Sequence, residues 1–129
     1  MSIEVHRKAQ DVAFRAERLE ATGQCEEAKR LYLEAARLED EVLREIPASR
    51  PKTRGIIAVS TASLFWRAGV QEEVERVARE YLAVPDLPEF ARIQLGDLLV
   101  NRDPMLRRAP PEDDSVEEDS EATSEARSA

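Results

Sequence analysis

Few residues in this chain have the types and spacing that catalysis needs. There is one histidine, His6, and one cysteine, Cys25. Such a pair cannot assemble a Cys/His metal site, and a single cysteine allows no disulfide framework within the chain. Cys25 stands beside Glu26 and Glu27. Neighbouring acids disfavour the reactive thiolate, so Cys25 reads as a packing residue and not a nucleophile. His6, close to the start of the chain, reads as structural or solvent-exposed. The acid pairs Glu26/Glu27 and Glu72/Glu73 fall at helix starts, where the helix dipole alone explains them. No glycine-rich phosphate loop, HExxH pair, zinc spacing or nucleophile elbow is present. The expectation is a non-enzymatic protein with no catalytic residue, no metal and no cofactor.

Composition narrows the partners. The formal net charge is −8, but Asp103 to Ala129 contributes nine acids against three arginines. The body is close to balance, which gives nucleic acid no support as the main partner. The segment from Met1 to Glu20 is charged throughout and lacks the apolar core of a signal peptide. No apolar run approaches the ~18–20 residues that span a bilayer. A soluble, cytoplasmic protein with no membrane partner is expected.

The elements that must position any site are helices. From Ile3 to Ala21, apolar residues recur at Val5, Ala9, Val12, Ala16 and Leu19, in steps of 4 and 3. Gly23 ends that stripe. A second helix, about Gln24 to Glu45, carries Ala28, Leu31, Ala35, Leu38 and Val42 at the same steps. So short a turn makes the two antiparallel. The segment Pro47 to Pro51 is a break, with Ser49 as the expected N-cap of the next helix and Pro51 in its first turn. Gly55 to Trp66 (GIIAVSTASLFW) holds no charge, in a chain that is 36% charged. A helix neutral all round is normally buried on most sides, so this one is expected at the centre. Gly69 ends it. A fourth helix, about Gln71 to Ala83, buries Val74, Val77, Ala78, Tyr81 and Leu82. A fifth, about Pro88 to Val100, follows a capping pattern at Asp86–Glu89 and buries Ala91, Leu95, Leu98 and Leu99. Residues 1–102 therefore read as one all-α domain. Residues 103–129, rich in Pro, Ser and acids, read as a disordered tail.

The two glycine corners match. Gly23-Gln-Cys-Glu-Glu-Ala28 parallels Gly69-Val-Gln-Glu-Glu-Val74, and Ala16 and Ala62 stand seven residues before each glycine. Ala16 with Leu19, Ala62 with Phe65, then Ala28, Tyr32 and Ala35, make a pattern that resembles the tetratricopeptide repeat (TPR). The likeness covers about Ala9 to Ala83. It departs from the family in period, since the corners are 46 positions apart against 34 in the family. The second copy is also degenerate, with Ala78 at the aromatic position and Tyr81 at that of the alanine. The fifth helix would act as a cap sealing the second hairpin.

The resemblance implies a right-handed array of antiparallel hairpins whose first helices line a groove for a peptide or helix. Carried across, its groove positions are Gln10, Ala13, Phe14, Glu17 and Glu20 on the first helix. On the central helix they are Ile56, Val59, Ser60, Ser63, Trp66 and Arg67. Phe14 and Trp66 would be aromatic anchors, with packing as core the alternative for Trp66. Arg50, Lys52 and Arg54 form a basic cluster at the start of the central helix, a position where the dipole does not favour them. They read as a solvated patch, as partners for acids of the second helix such as Glu39, Asp40 or Glu45, or, with Arg67, as a clamp for a carboxylate. The function expected is a protein-binding adaptor. Alternatives are a structural subunit of a larger helical assembly, including a homo-oligomer, and an antitoxin-like or nucleic-acid-mimicking regulator acting through the acidic tail.

Overall fold

The computed structural model describes residues 3–101. The tail expected to be disordered, 103–129, lies outside the described residues. Within them the chain is all-α, with no strand: α1 (Ile3–Ala21), α2 (Cys25–Glu45), α3 (Pro51–Ala68), α4 (Gln71–Leu82) and α5 (Glu89–Val100). Among the described residues no helix is long and apolar enough to cross a membrane.

The apolar stripes become the buried faces. α1 buries Ala9, Val12 and Ala16, and α2 buries Ala28, Tyr32, Ala35, Ala36, Val42 and Leu43. Side chains this small on both helices let the two backbones come close. α3 and α4 repeat the device with Ala58, Ala62, Val74, Val77 and Ala78. α5 closes the far side of the core with Ala91, Leu95 and Leu98. Each large apolar side chain fully buried contributes about 1.5–3 kcal/mol, so α5 is held as firmly as the hairpins.

Both glycine corners form as expected. Gly23 and Gly69 adopt φ of 85° and 81°. In each corner two amides turn back onto the last helical turn. Gly23 N–H donates to Glu20 O (3.1 Å) and Gln24 N–H to Leu19 O (2.9 Å); Gly69 N–H donates to Trp66 O (3.0 Å) and Val70 N–H to Phe65 O (3.1 Å). This is a Schellman closure, which a left-handed residue makes possible.

The N-terminal caps differ from expectation. The cap of α3 is Arg50, not Ser49, and no side chain bonds to it. Ser49 lies inside a turn closed by Arg50 N–H donating to Pro47 O (3.0 Å), while Pro51 presets the first helical φ. Asp86 does not cap α5 either. The Pro88 carbonyl accepts the amides of Ala91 (3.1 Å) and Arg92 (3.0 Å), which leaves Asp86 two residues outside the helix. Its carboxylate instead lies 3.7 Å from Arg54. The C-terminus of α4 is satisfied from α5: Arg92 donates to the carbonyls of Leu82 and Val84, each at 3.2 Å.

Gly55 sets how closely α5 approaches α3. A Cβ there would stand 3.0 Å from Pro88 Cδ and 3.3 Å from Ala91 Cβ. Gly55→Val is therefore expected to push the start of α5 off α3 and cost about 1–3 kcal/mol. Gly69→Ala is expected to cost about 1–2 kcal/mol through its backbone alone. Urea denaturation followed by circular dichroism measures both. A Gly55→Val protein as stable as wild type would contradict this seating of α5.

Candidate partner-binding face

The central helix is neutral but not enclosed. It buries Ile57, Ala58, Thr61, Ala62, Leu64, Phe65 and Trp66. Its remaining face stays open. Ile56 is 47% exposed, Lys52 and Arg67 are exposed, and Val59, Ser60 and Ser63 are half-buried. These positions recur at helical spacing, so they form one strip along α3. Two elements flank the strip: the α1–α2 hairpin on one side and α5 on the other.

On the hairpin side the strip is tied down by polar contacts through α2. Glu39 is fully buried. Its Oε1 accepts from His6 Nδ1 on α1 (2.9 Å), and its Oε2 accepts from Ser60 Oγ on α3 (3.1 Å). One carboxylate thus links three helices. A second tie lies further along. Tyr32 Oη donates to Glu20 Oε1 (2.8 Å) and accepts from Arg67 Nη1 (3.2 Å). The Arg67 guanidinium stands 5.6 Å from the centre of the Tyr32 ring and 3.5 Å from Glu20. Glu20, Tyr32 and Arg67 therefore join α1, α2 and α3 a second time.

On the α5 side lies an open cleft of about 410 Å³, lined by Ser63, Trp66, Arg67, Gln94, Asp97 and Leu98. Trp66 is only 9% exposed, and its indole N–H donates to the carbonyl of Asn101. It forms part of the core and borders the cleft by its edge.

The site residues expected from the sequence are thus divided. Ser63, Trp66 and Arg67 come together at the cleft. Ser60 is engaged with Glu39. Lys52 is exposed at the start of the strip, and Arg54 is half-buried beside Asp86. Gln10 and Glu17 are exposed on α1. Phe14 is 58% exposed, with the Arg18 guanidinium 5.8 Å from its ring centre. Phe14 and Trp66 do not form one pocket: the first projects from α1 and the second is buried between α3 and α5.

The acids of α2 are matched by residues other than the basic cluster. Glu39 pairs with His6 and Ser60. Asp40 Oδ2 accepts from Arg76 (2.8 Å) and Arg44 (3.2 Å). Burial works against the Arg76 charge, but the hydrogen bonds and charges of Glu73 and Asp40 outweigh it and raise the pKa above the ordinary arginine value. His6, read as merely structural or exposed, is a specific partner of a buried acid. The signal for Glu39 was present in the sequence. It stands four residues after Ala35 and seven after Tyr32, inside the buried stripe. Its partners carried no such signal.

The arrangement has the character of a scaffold. Ser60 gives its proton to Glu39, not to an imidazole, so no base activates its oxygen. Among the described residues no three of His, Cys, Asp and Glu cluster as metal ligands would. No protein-family model, curated protein or solved structure matches the chain.

Two outcomes are expected. Glu39→Ala leaves two donors facing an apolar gap and should cost about 2–3 kcal/mol. A double-mutant cycle with His6→Ala should show coupling of about 1 kcal/mol or more; additivity would mean that the contact does not hold α1. Trp66→Ala should cost about 3–5 kcal/mol, as for a core aromatic. A Trp66→Ala protein with an unchanged denaturation midpoint would refute the core placement.

Proposed function

We propose that this chain is a non-enzymatic adaptor that binds a peptide or helix of a partner protein along the open face of α3. The observation that carries the reading is a central helix, uncharged from Gly55 to Trp66, with one strip left uncovered. Lys52, Ile56, Ser63 and Arg67 run along it, and the cleft shared with α5 adjoins its far end. An uncharged helix gains from burial on every side. A strip left open along it, with cations at both ends, suits an occupant of mixed apolar and acidic character.

The TPR resemblance supports this use of the first helices of successive hairpins. The ligand face under this reading is α1, α3 and α5, with Phe14, Gln10 and Glu17 at its α1 margin. The groove first expected between α1 and α3 has the Glu39 and Tyr32 contacts as its floor. The cleft on the α5 side offers the deeper recess. A cytoplasmic setting goes with this reading, because Cys25 is a lone exposed thiol and such thiols persist in reducing compartments.

The test uses variants outside the core. Wild type and a Phe14→Glu, Ile56→Glu, Ser63→Arg variant are compared in affinity capture from an extract of the source cells. Circular dichroism must show equal helicity. A protein retained by wild type and lost by the folded variant is the expected result. Equal retention by both would move the interface off this face, and the absence of any specific partner would end the adaptor reading.

A further inference from the structure

The last helix of a stacked array ordinarily turns a polar face outward, because nothing follows to cover it. α5 does not. Ala91, Leu95 and Leu98 form its buried side. Opposite them stand Ile93, 56% exposed, and Val100, 79% exposed, with Phe90 at the margin. Gly96 lies between Ile93 and Val100. Positions 93, 96 and 100 follow at steps of 3 and 4, so they form one stripe without charge.

Gly96 is the second anomaly. A glycine inside a helix costs roughly 1 kcal/mol relative to alanine. The other three glycines have reasons: positive φ at Gly23 and Gly69, and the contact with Pro88 and Ala91 at Gly55. At Gly96 φ is not positive, and a Cβ would meet nothing within 4 Å. No described residue requires a glycine there. A missing side chain at the centre of an exposed apolar stripe is what a close approach by another backbone would use.

We propose that the outer face of α5 is a homodimer interface, in which α5 of a second copy crosses it antiparallel at Gly96. Charge selects this occupant. An uncharged stripe is complementary to another uncharged stripe. At the opposite end of the fold α1 exposes Glu4, Lys8, Asp11 and Arg15, so head-to-tail stacking would bury charges against Ile93 and Val100. A two-fold contact needs a patch that matches itself, and this stripe does. With the crossing at Gly96, Ile93 lies opposite Val100 of the second copy, and Val100 opposite its Ile93. Phe90, Ile93 and Val100 together expose about 300 Å², or about 600 Å² of apolar surface over two copies. The polar margin at Glu89 and Asp97 brings the contact to about 1,000 Å², the lower end for specific interfaces. The dimer is therefore weak and dissociates on dilution. Gln94 and Leu98 lie on the other flank of α5, so dimerisation leaves the cleft accessible.

The test is sedimentation velocity of the full chain over a hundredfold concentration range. A reversible monomer–dimer equilibrium is expected. Ile93→Glu should weaken it at least tenfold with unchanged helicity. Gly96→Leu separates the two roles of that position: it should raise the melting temperature of the monomer while weakening the dimer by a similar factor. In a Cys25→Ser background, Gly96→Cys should oxidise to a disulfide-linked dimer, and Asp11→Cys should not. A monomer at every concentration overturns the proposal, whether the stripe is then covered by residues 102–129 or by a different protein. A dimer indifferent to Ile93→Glu and Gly96→Leu overturns it as well. None of these readouts depends on the groove, so the adaptor reading stands or falls separately.

Discussion

A carboxylate cut off from water must be met by donors, and Glu39 is cut off completely. That requirement brings His6 of α1 and Ser60 of α3 to the same point of α2. The next residue, Asp40, faces another direction, since neighbours on a helix lie about 100° apart. It is met by Arg76 of α4 and Arg44 of its own helix. Two consecutive acids thus connect α2 to three other helices. An apolar interface would stabilise the helices as well or better, but would tolerate sliding. Hydrogen bonds with fixed donors set the axial position of each helix against α2.

The Glu20–Tyr32–Arg67 contact repeats this logic one to two turns away. Tyr32 is buried with the core while its hydroxyl reaches the polar margin, so the same residue packs and orients. Between the two ties the interface is mostly alanine, which brings backbones close but carries little shape of its own. Small side chains supply proximity and the polar pairs supply register. The result is a rigid hairpin beside an α3 strip that remains open. A binding face built on such a support costs little to order when a partner arrives.

The α5 end follows a different principle. It is seated by steric fit at Gly55, by apolar burial of Leu95, and by backbone contacts. Arg92 satisfies the end of α4, and Trp66 holds the carbonyl of Asn101. These contacts use one side of the helix. The other side carries apolar residues around a glycine that the protomer itself does not need. An end so built is suited to continuation of the structure by another helix.

The sequence by itself determined the helices and their inward faces. Steps of 3 and 4 between apolar residues, glycine at two corners and proline at two breaks are local signals. They act through backbone geometry that needs no distant partner, and all five helices lie within a residue or so of where those signals put them. The groove positions Ser63, Trp66 and Arg67 were legible because helical spacing fixes which residues share a face. What tertiary structure alone decided is which polar groups meet. His6 and Glu39 are 33 positions apart and Arg76 and Asp40 are 36 apart. No local pattern encodes such pairs, because they exist only once the backbones have been brought together. The same holds for Asp86, which turns to Arg54 and away from its helix, and for Trp66, whose burial depends on α5. It holds also for Gly55, whose missing side chain has meaning only where Pro88 comes to rest against it.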